Sequence, residues 1–270
     1  MFPTPGRTGK ALKIDEQMAT TAIILAAGKG TRMKSDLPKV LHEVCGRPML
    51  AYVFDAVRAA GCDRLLTVVG HRAELVQQTF SNNGEDVRWV LQSPQLGTGH
   101  AIMACREHLA DLTGPVLVLA GDGPLIRPET LRDLLARHEE AAAAMTLATS
   151  ILPDPKRYGR ILRDASGLLA GIVEHLDADE TQRRIHEVNV SIYCFQARAL
   201  REAIGELTND NAKGEYYLTD AVAILRDRGA KLAAVAAVPP EDVLSINTLE
   251  ELAQVTEIMA TRTQGDHPHA

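Results

Sequence analysis

The sequence predicts an α/β chain whose core is a doubly wound, mostly parallel sheet, followed by a smaller mixed-sheet lobe. Short apolar runs alternate with helical stripes up to about residue 150, which is the rhythm of βαβ units. Beyond that point the rhythm gives way to alternating segments punctuated by glycine. The 270 residues, 46% of them hydrophobic, suffice to bury one large core.

Taken in order, TAIIL (21–25), RLLTVV (64–69), VRWVL (87–91), PVLVLA (115–120) and AAMTLATSI (143–151) read as strands. Between them Met49, Val53, Ala56, Val57 and Ala60 share one helical stripe, and Leu75, Val76 and Phe80 form a weaker one. Right-handed crossovers make such strands parallel, cover both faces of the sheet and open a ligand site at the carboxyl ends of the strands. Past 150, YGRILRDASGLLAGIVEH alternates, and HEVNVSIYCF reads as a further strand. Helical patterns return at 197–206 and 216–228, a strand follows at 231–238, and a last helix starts at Thr248 with Asn247 as its N-cap. A domain over 21–260 results, in two parts at 21–150 and 151–245, between tails at 1–20 and 261–270 that are expected to be flexible.

The formal net charge of −6 argues against nucleic-acid or membrane-surface binding, because those partners favour a basic face. Any anion site must therefore be local. The four cysteines (Cys45, Cys62, Cys105, Cys194) are far apart and lack zinc spacing, so they read as reduced thiols of a cytoplasmic protein. Neither an apolar leader nor a membrane-spanning run is visible, and no hexapeptide array occurs.

The stretch AIILAAGKGTRMKSDLPKV runs from a strand through glycines into Lys29, Arg32, Lys34 and Lys39. A glycine turn lets backbone N–H groups approach phosphate oxygens while Lys and Arg neutralise them, so a polyanion is the implied ligand. Walker A is excluded because Gly28, Lys29, Gly30 and Thr31 come in the wrong order. A dinucleotide fingerprint fails at its third glycine, where Met33 stands, and this leaves an NAD(P)-dependent oxidoreductase as a distant option. Asp122 follows PVLVLAG, at the carboxyl end of a strand, where a carboxylate suits a hard cation bridged to phosphate.

The pattern L-A-A-G-x-G-T-R-M, followed by Pro38, Lys39 and Val40, resembles the sugar-nucleotide pyrophosphorylases and related nucleotidyltransferases. Cytidylyltransferases of isoprenoid synthesis and molybdenum-cofactor nucleotidyltransferases share a similar start. The later segments decide between them: VLQSPQLGTGHAI, GDGPLI, YGRI, GIVEHLDAD, EVNVSIY and LTNDNAKGEYYLTDAV, in that order. Together they resemble the N-terminal uridyltransferase domain of the bifunctional UDP-N-acetylglucosamine pyrophosphorylase family over about residues 21–260.

The resemblance implies a Rossmann-like fold of the nucleotide-diphospho-sugar transferase type, with 21–150 binding nucleotide and 151–245 binding sugar. It implies transfer of UMP from UTP to N-acetylglucosamine 1-phosphate with Mg²⁺, and it assigns residues. Arg32, Lys39 and Asp122 would be catalytic. Leu25, Ala26, Ala27, Gly28, Gly30, Thr31 and Lys39 would wrap the triphosphate, with Gln92, Gly97 and Thr98 on the base. Gly159, Glu174, Asn189, Tyr217 and Thr219 would hold the sugar, and Asp122 with Asn247 the metal. Lys29, Lys34, His42 and His100 are expected to be solvated or structural.

Several positions depart from the family pattern. Ala120 and Gly123 replace a tyrosine and a valine, which is expected to widen the site near the metal. Val190 and Ser191 replace Thr-Gly, so a flexible position is expected to be lost. The family's C-terminal left-handed β-helix has no counterpart, so acetyl transfer is expected to be absent and the chain to be a monomer or weak dimer. The alternatives are a nucleotidyltransferase for another sugar 1-phosphate or base and a non-catalytic UDP-sugar-binding regulatory module.

Overall fold

The computed structural model describes residues 19–81 and 86–265; of the tails expected at 1–20 and 261–270, residues 1–18 and 266–270 lie outside them. In chain order the strands are β1 (Thr21–Ala26), β2 (Glu43–Val44), β3 (Arg47–Pro48), β4 (Arg64–Val69), β5 (Arg88–Leu91), β6 (Pro115–Ala120), β7 (Met145–Ile151), β8 (Arg160–Arg163), β9 (Leu169–Val173), β10 (Glu187–Gln196) and β11 (Leu232–Val235). The central sheet has the order β11-β7-β10-β6-β1-β4-β5, and β8 and β9 form a hairpin hanging from β10. Strand β1 pairs in parallel with β4 and β6, and the sheet is parallel except at β10 and the hairpin.

Both faces are buried, as the continuous apolar runs require. Ile24, Leu117 and Leu119 point to one face, with Val53, Val57, Phe54 and Phe80 of the covering helices; Ile23 and Val118 point to the other, with Ile102, Leu200 and Ile204. Phe54 and Phe80 meet edge to face at 5.0 Å. The helix Pro128–Ala141 escaped the periodicity count, although Pro128 at its first turn, Glu129 beside it and the stripe Thr130, Leu131, Leu134 and His138 all mark it.

Strand β10 runs antiparallel between β6 and β7. The chain enters it from the β8–β9 hairpin and the short helix Glu180–Arg183, so no crossover helix fixes its direction. Its register shifts between Asn189 and Tyr193, where Ser191 has φ 57. Ser191 therefore holds a left-handed conformation that glycine adopts more readily. An L-residue there costs about 1–2 kcal/mol, part of which glycine returns to the unfolded chain. Ser191→Gly is expected to raise stability by about 0.5–1 kcal/mol, measured as a higher urea midpoint at unchanged slope.

His138 is buried, with Nδ1 3.0 Å from Thr146 Oγ1 and Nε2 3.3 Å from Gln196 Nε2. Burial lowers its pKa to about 4, because the charged ring would lose its water. The unfolded chain therefore takes up this proton first, and stability falls as the pH drops from about 6.5 to about 4, by about 2–3 kcal/mol. Thermal melts across that window should show the fall, and His138→Gln should flatten it.

The last helix runs over Leu249–Gly265, past the boundary expected at 260. Its Val255 packs with Met33, Val44, Met49, Leu125 and Ile246, and its Arg262 reaches Asp242 and the carbonyl of Leu125. Asp242 is buried and also takes Arg127 Nε at 2.6 Å. The helix is thereby anchored to the sheet beside the loop after β6.

Candidate active site

The loop leaving β1 turns at Gly30, whose φ is 61. A Cβ there would stand 2.7 Å from Lys39 Cβ, so only glycine lets the loop lie on the lysine stem. At Gly28 a Cβ would meet nothing within 4 Å; the space beside it is open to a ligand. Leu25 and Ala26 end β1, and the carbonyls of Leu25 and Ala27 accept from Gly121 and His71. Thr31 opens the short turn that carries Arg32. Lys29 and Lys34 are exposed, as expected.

Asp122 follows β6, and its carbonyl accepts from Ile246 N at 3.0 Å, which brings the 245–247 segment beside it. Lys39 Nζ donates to Asp122 Oδ2 and, at 2.6 Å, to Asn247 Oδ1. Arg32 donates to the same Asn247 oxygen at 2.9 Å. The structure thus joins Arg32 and Lys39 of one loop with Asp122 and Asn247 from distant parts of the chain in one cluster. Lys39 and Asp122 are 13% and 21% exposed, enough to be reached by a ligand yet shielded from bulk screening.

Asn247 does not cap the last helix. Thr248 Oγ1 accepts from Glu251 N, and Glu251 Oε2 accepts from Thr248 N and Asn247 N, a capping box one residue later than expected. The Asn247 side chain is left for the cluster. Its donor set with Asp122 consists of hard oxygens, and a cation already lies on both, so the residues fit Mg²⁺.

Gln92 is buried at the end of β5. Its amide nitrogen donates to Gly97 O at 2.9 Å and lies 3.2 Å from His100 Nδ1, so His100 orients it. Gly97 has φ 105, and a Cβ there would strike Tyr216 O at 2.6 Å. Thr98 Oγ1 accepts from Leu218 N at 3.0 Å, and Gly99 N donates to Tyr216 O at 2.7 Å. These bonds dock the 92–99 segment against the stretch that carries Tyr217 and Thr219.

Thr219 donates to Glu174 Oε1 at 3.2 Å, and burial raises the Glu174 pKa. Asn189 N donates to Gly159 O at 2.9 Å, and Gly159 lies close to Val173 and Asn189. The Asn189 amide faces inward: Nδ2 donates to Tyr193 OH, and Oδ1 accepts from Ser191 N. Tyr217 is 8% exposed, and its hydroxyl is buried without a partner among the described residues. It lines a cavity of about 300 Å³ with Glu174, His175, Lys213, Arg157 and Arg32. His175 and Lys213 lie in segments that resemble the family without being assigned a role, and Arg157 directly precedes YGRI.

The expected widening near Ala120 and Gly123 is small. Leu119, Ile126, Val190, Ile192 and Val243 close around them and leave a cavity of about 20 Å³, room for a methyl-sized group.

A cationic turn after the first strand, a carboxylate at the carboxyl end of β6 and an adjoining polar cavity suit a phosphorylated ligand bound at the carboxyl ends of the strands. The chain belongs to the MobA-like NTP transferase domain family, whose pattern matches residues 22–219. It is 46% identical to the bifunctional protein GlmU of Brevibacillus brevis over 91% of its own length and 45% identical to that of Alkaliphilus metalliredigens over 94%. The chain spans about half the length of these relatives, 53% and 55%. A crystal structure of UDP-glucose pyrophosphorylase complexed with UDP-glucose superposes with TM-score 0.73 at 18% identity, covering 91% of this chain and 100% of that one, and so shares its fold. No helix among the described residues is long and apolar enough to cross a membrane.

Proposed function

We propose that this domain transfers UMP from UTP to N-acetylglucosamine 1-phosphate, releases pyrophosphate and works with Mg²⁺ held by Asp122 and Asn247. The observation that carries this is the joining of Arg32, Lys39, Asp122 and Asn247 beside the cavity of Glu174 and Tyr217. The chain's similarity to the GlmU proteins supports the same substrates.

The attacking phosphate is already an anion at neutral pH, since its second pKa is near 6, so no side chain needs to activate it. What the site must do is bring two anions into line and neutralise the charge that develops on the bridging and leaving oxygens. Arg32 and Lys39 supply fixed positive charge on the phosphates, while the Gly28–Gly30 turn admits their oxygens to the backbone. Bound Mg²⁺ supplies charge neutralisation on phosphate oxygens. Gln92 has both amide hydrogens engaged by Gly97 and His100, which leaves Oε1 as an acceptor. An acceptor suits the ring N–H of uracil and repels the bare ring nitrogen of cytosine, which favours uridylyl over cytidylyl transfer. Glu174, Thr219 and Tyr217 present polar atoms to sugar hydroxyls and the acetamido group, with Gly159 and Asn189 forming the wall behind. The domain then serves a cell-wall precursor route in the cytoplasm.

A pyrophosphate-release assay pairing UTP or CTP with a panel of sugar 1-phosphates tests this. Release is expected with UTP and N-acetylglucosamine 1-phosphate above all others. Preference for glucose 1-phosphate would move the substrate to the alternative, and silence with every pair would leave only a binding module.

A further inference from the structure

Lys39 Nζ lies on the two oxygens, Asp122 Oδ2 and Asn247 Oδ1, that the proposed function gives to the metal. An amide oxygen has two lone pairs, and at Asn247 both are taken, one by Lys39 at 2.6 Å and the other by Arg32 at 2.9 Å. Asn247 cannot turn away to free them. Its Nδ2 donates to Ser245 O at 3.2 Å, and its backbone N is held by Glu251 at 2.6 Å. The lysine stem is equally fixed, because its Cβ abuts Gly30. Only the ammonium end of Lys39 and the exposed Arg32 are left to move.

We infer that Lys39 is an internal competitor for the metal: in the nucleotide-free chain its ammonium caps Asp122 and Asn247, and it leaves when a triphosphate offers it other oxygens. The inference rests on the assignment of Asp122 and Asn247 as metal ligands. At Asn247 Oδ1 an ammonium and a divalent cation need the same lone pair, and across both residues the two cations repel each other at that separation. Polyphosphate changes the balance by attracting Lys39 and Arg32 to itself, which uncovers both oxygens at the moment a metal-bearing nucleotide arrives. Metal and nucleotide then load as one event, and no ion binds tightly ahead of the nucleotide.

The test is a Mn²⁺ titration of the nucleotide-free chain, followed by electron paramagnetic resonance. A site uncovered a tenth of the time binds about tenfold more weakly, so Lys39→Met is expected to bind Mn²⁺ about tenfold or more tightly than the parent. Lys34→Met, which removes an exposed cation from the same loop, is expected to match the parent. Lys39→Gln, which keeps the stem and a donor, takes the place of the Met variant should that one fail to fold. Equal or weaker Mn²⁺ binding in the Lys39 variants would overturn the inference, as would an equal gain in Lys34→Met, which would trace the effect to net charge. Asp122→Asn added to the Lys39→Met variant is expected to abolish the gain; were the double variant to bind Mn²⁺ like Lys39→Met, the ligand assignment and the competition would both fall. No sugar phosphate is present in this titration, so a negative substrate panel leaves its result standing.

Discussion

Asp122→Ala is expected to lower kcat/KM for UMP transfer by about a hundred- to a thousandfold while the fold survives. The carboxylate stands at the end of β6, where its backbone carbonyl, not its side chain, ties the 245–247 segment to the sheet. Truncation therefore spares that tie and removes the charged ligand that steadies an ion on the phosphates. Losses of this size accompany removal of a single group that stabilises developing charge. The measurement is steady-state pyrophosphate release across a Mg²⁺ series, with a thermal melt as the fold control. Parent-like turnover at saturating Mg²⁺ would take the metal role away from this residue.

Asp242→Ala is expected to cost about 2–3 kcal/mol of stability. Removing one member of a buried ion pair commonly costs about 3–5 kcal/mol because the other charge is stranded. Here the side chains of Arg127 and Arg262 are 44% and 27% exposed, and partial rehydration reduces the penalty. The carboxylate itself is wholly shielded and gathers both arginines, one from the start of the helix Pro128–Ala141 and one from the last helix. Loosening the last helix also loosens Asn247 at its head, so the Mg²⁺ concentration for half-maximal activity should rise in the same variant. Urea unfolding reads the first effect and a Mg²⁺ titration of activity the second. An unchanged urea midpoint would show that the apolar contacts of Val255 and the Arg262 bond to Leu125 hold the helix alone.

Much of this architecture was legible because it depends on local pattern. The β4 and β6 runs coincide with the expected strands, since both are apolar, β-branched and bounded by turns. The direction of β10 was not legible. A strand's orientation follows from what connects it to the last one, and the connection here is a hairpin plus one helical turn rather than a crossover. Site residues divide in the same way. Arg32, Lys39 and Asp122 stand in recognisable motifs, and the structure brings them together. The pattern before the last helix also offers Asn247 as its cap, although Thr248 and Glu251 carry the capping spacing in plain view. The role of His100 on Gln92 and the inward turn of Asn189 depend on side-chain direction within packed segments, which spacing alone does not encode.

Strand β10 begins beside β8 in the hairpin lobe and ends between β6 and β7 in the middle of the sheet. The lobe has no seam of its own. A backbone cut near residue 151 would yield fragments that complement each other rather than two modules, and a graft of a foreign lobe would have to bring a central strand with it. Substrate range in such a molecule diverges by replacing single side chains along the cleft, because exchanging whole pieces would dismantle the scaffold that supports them.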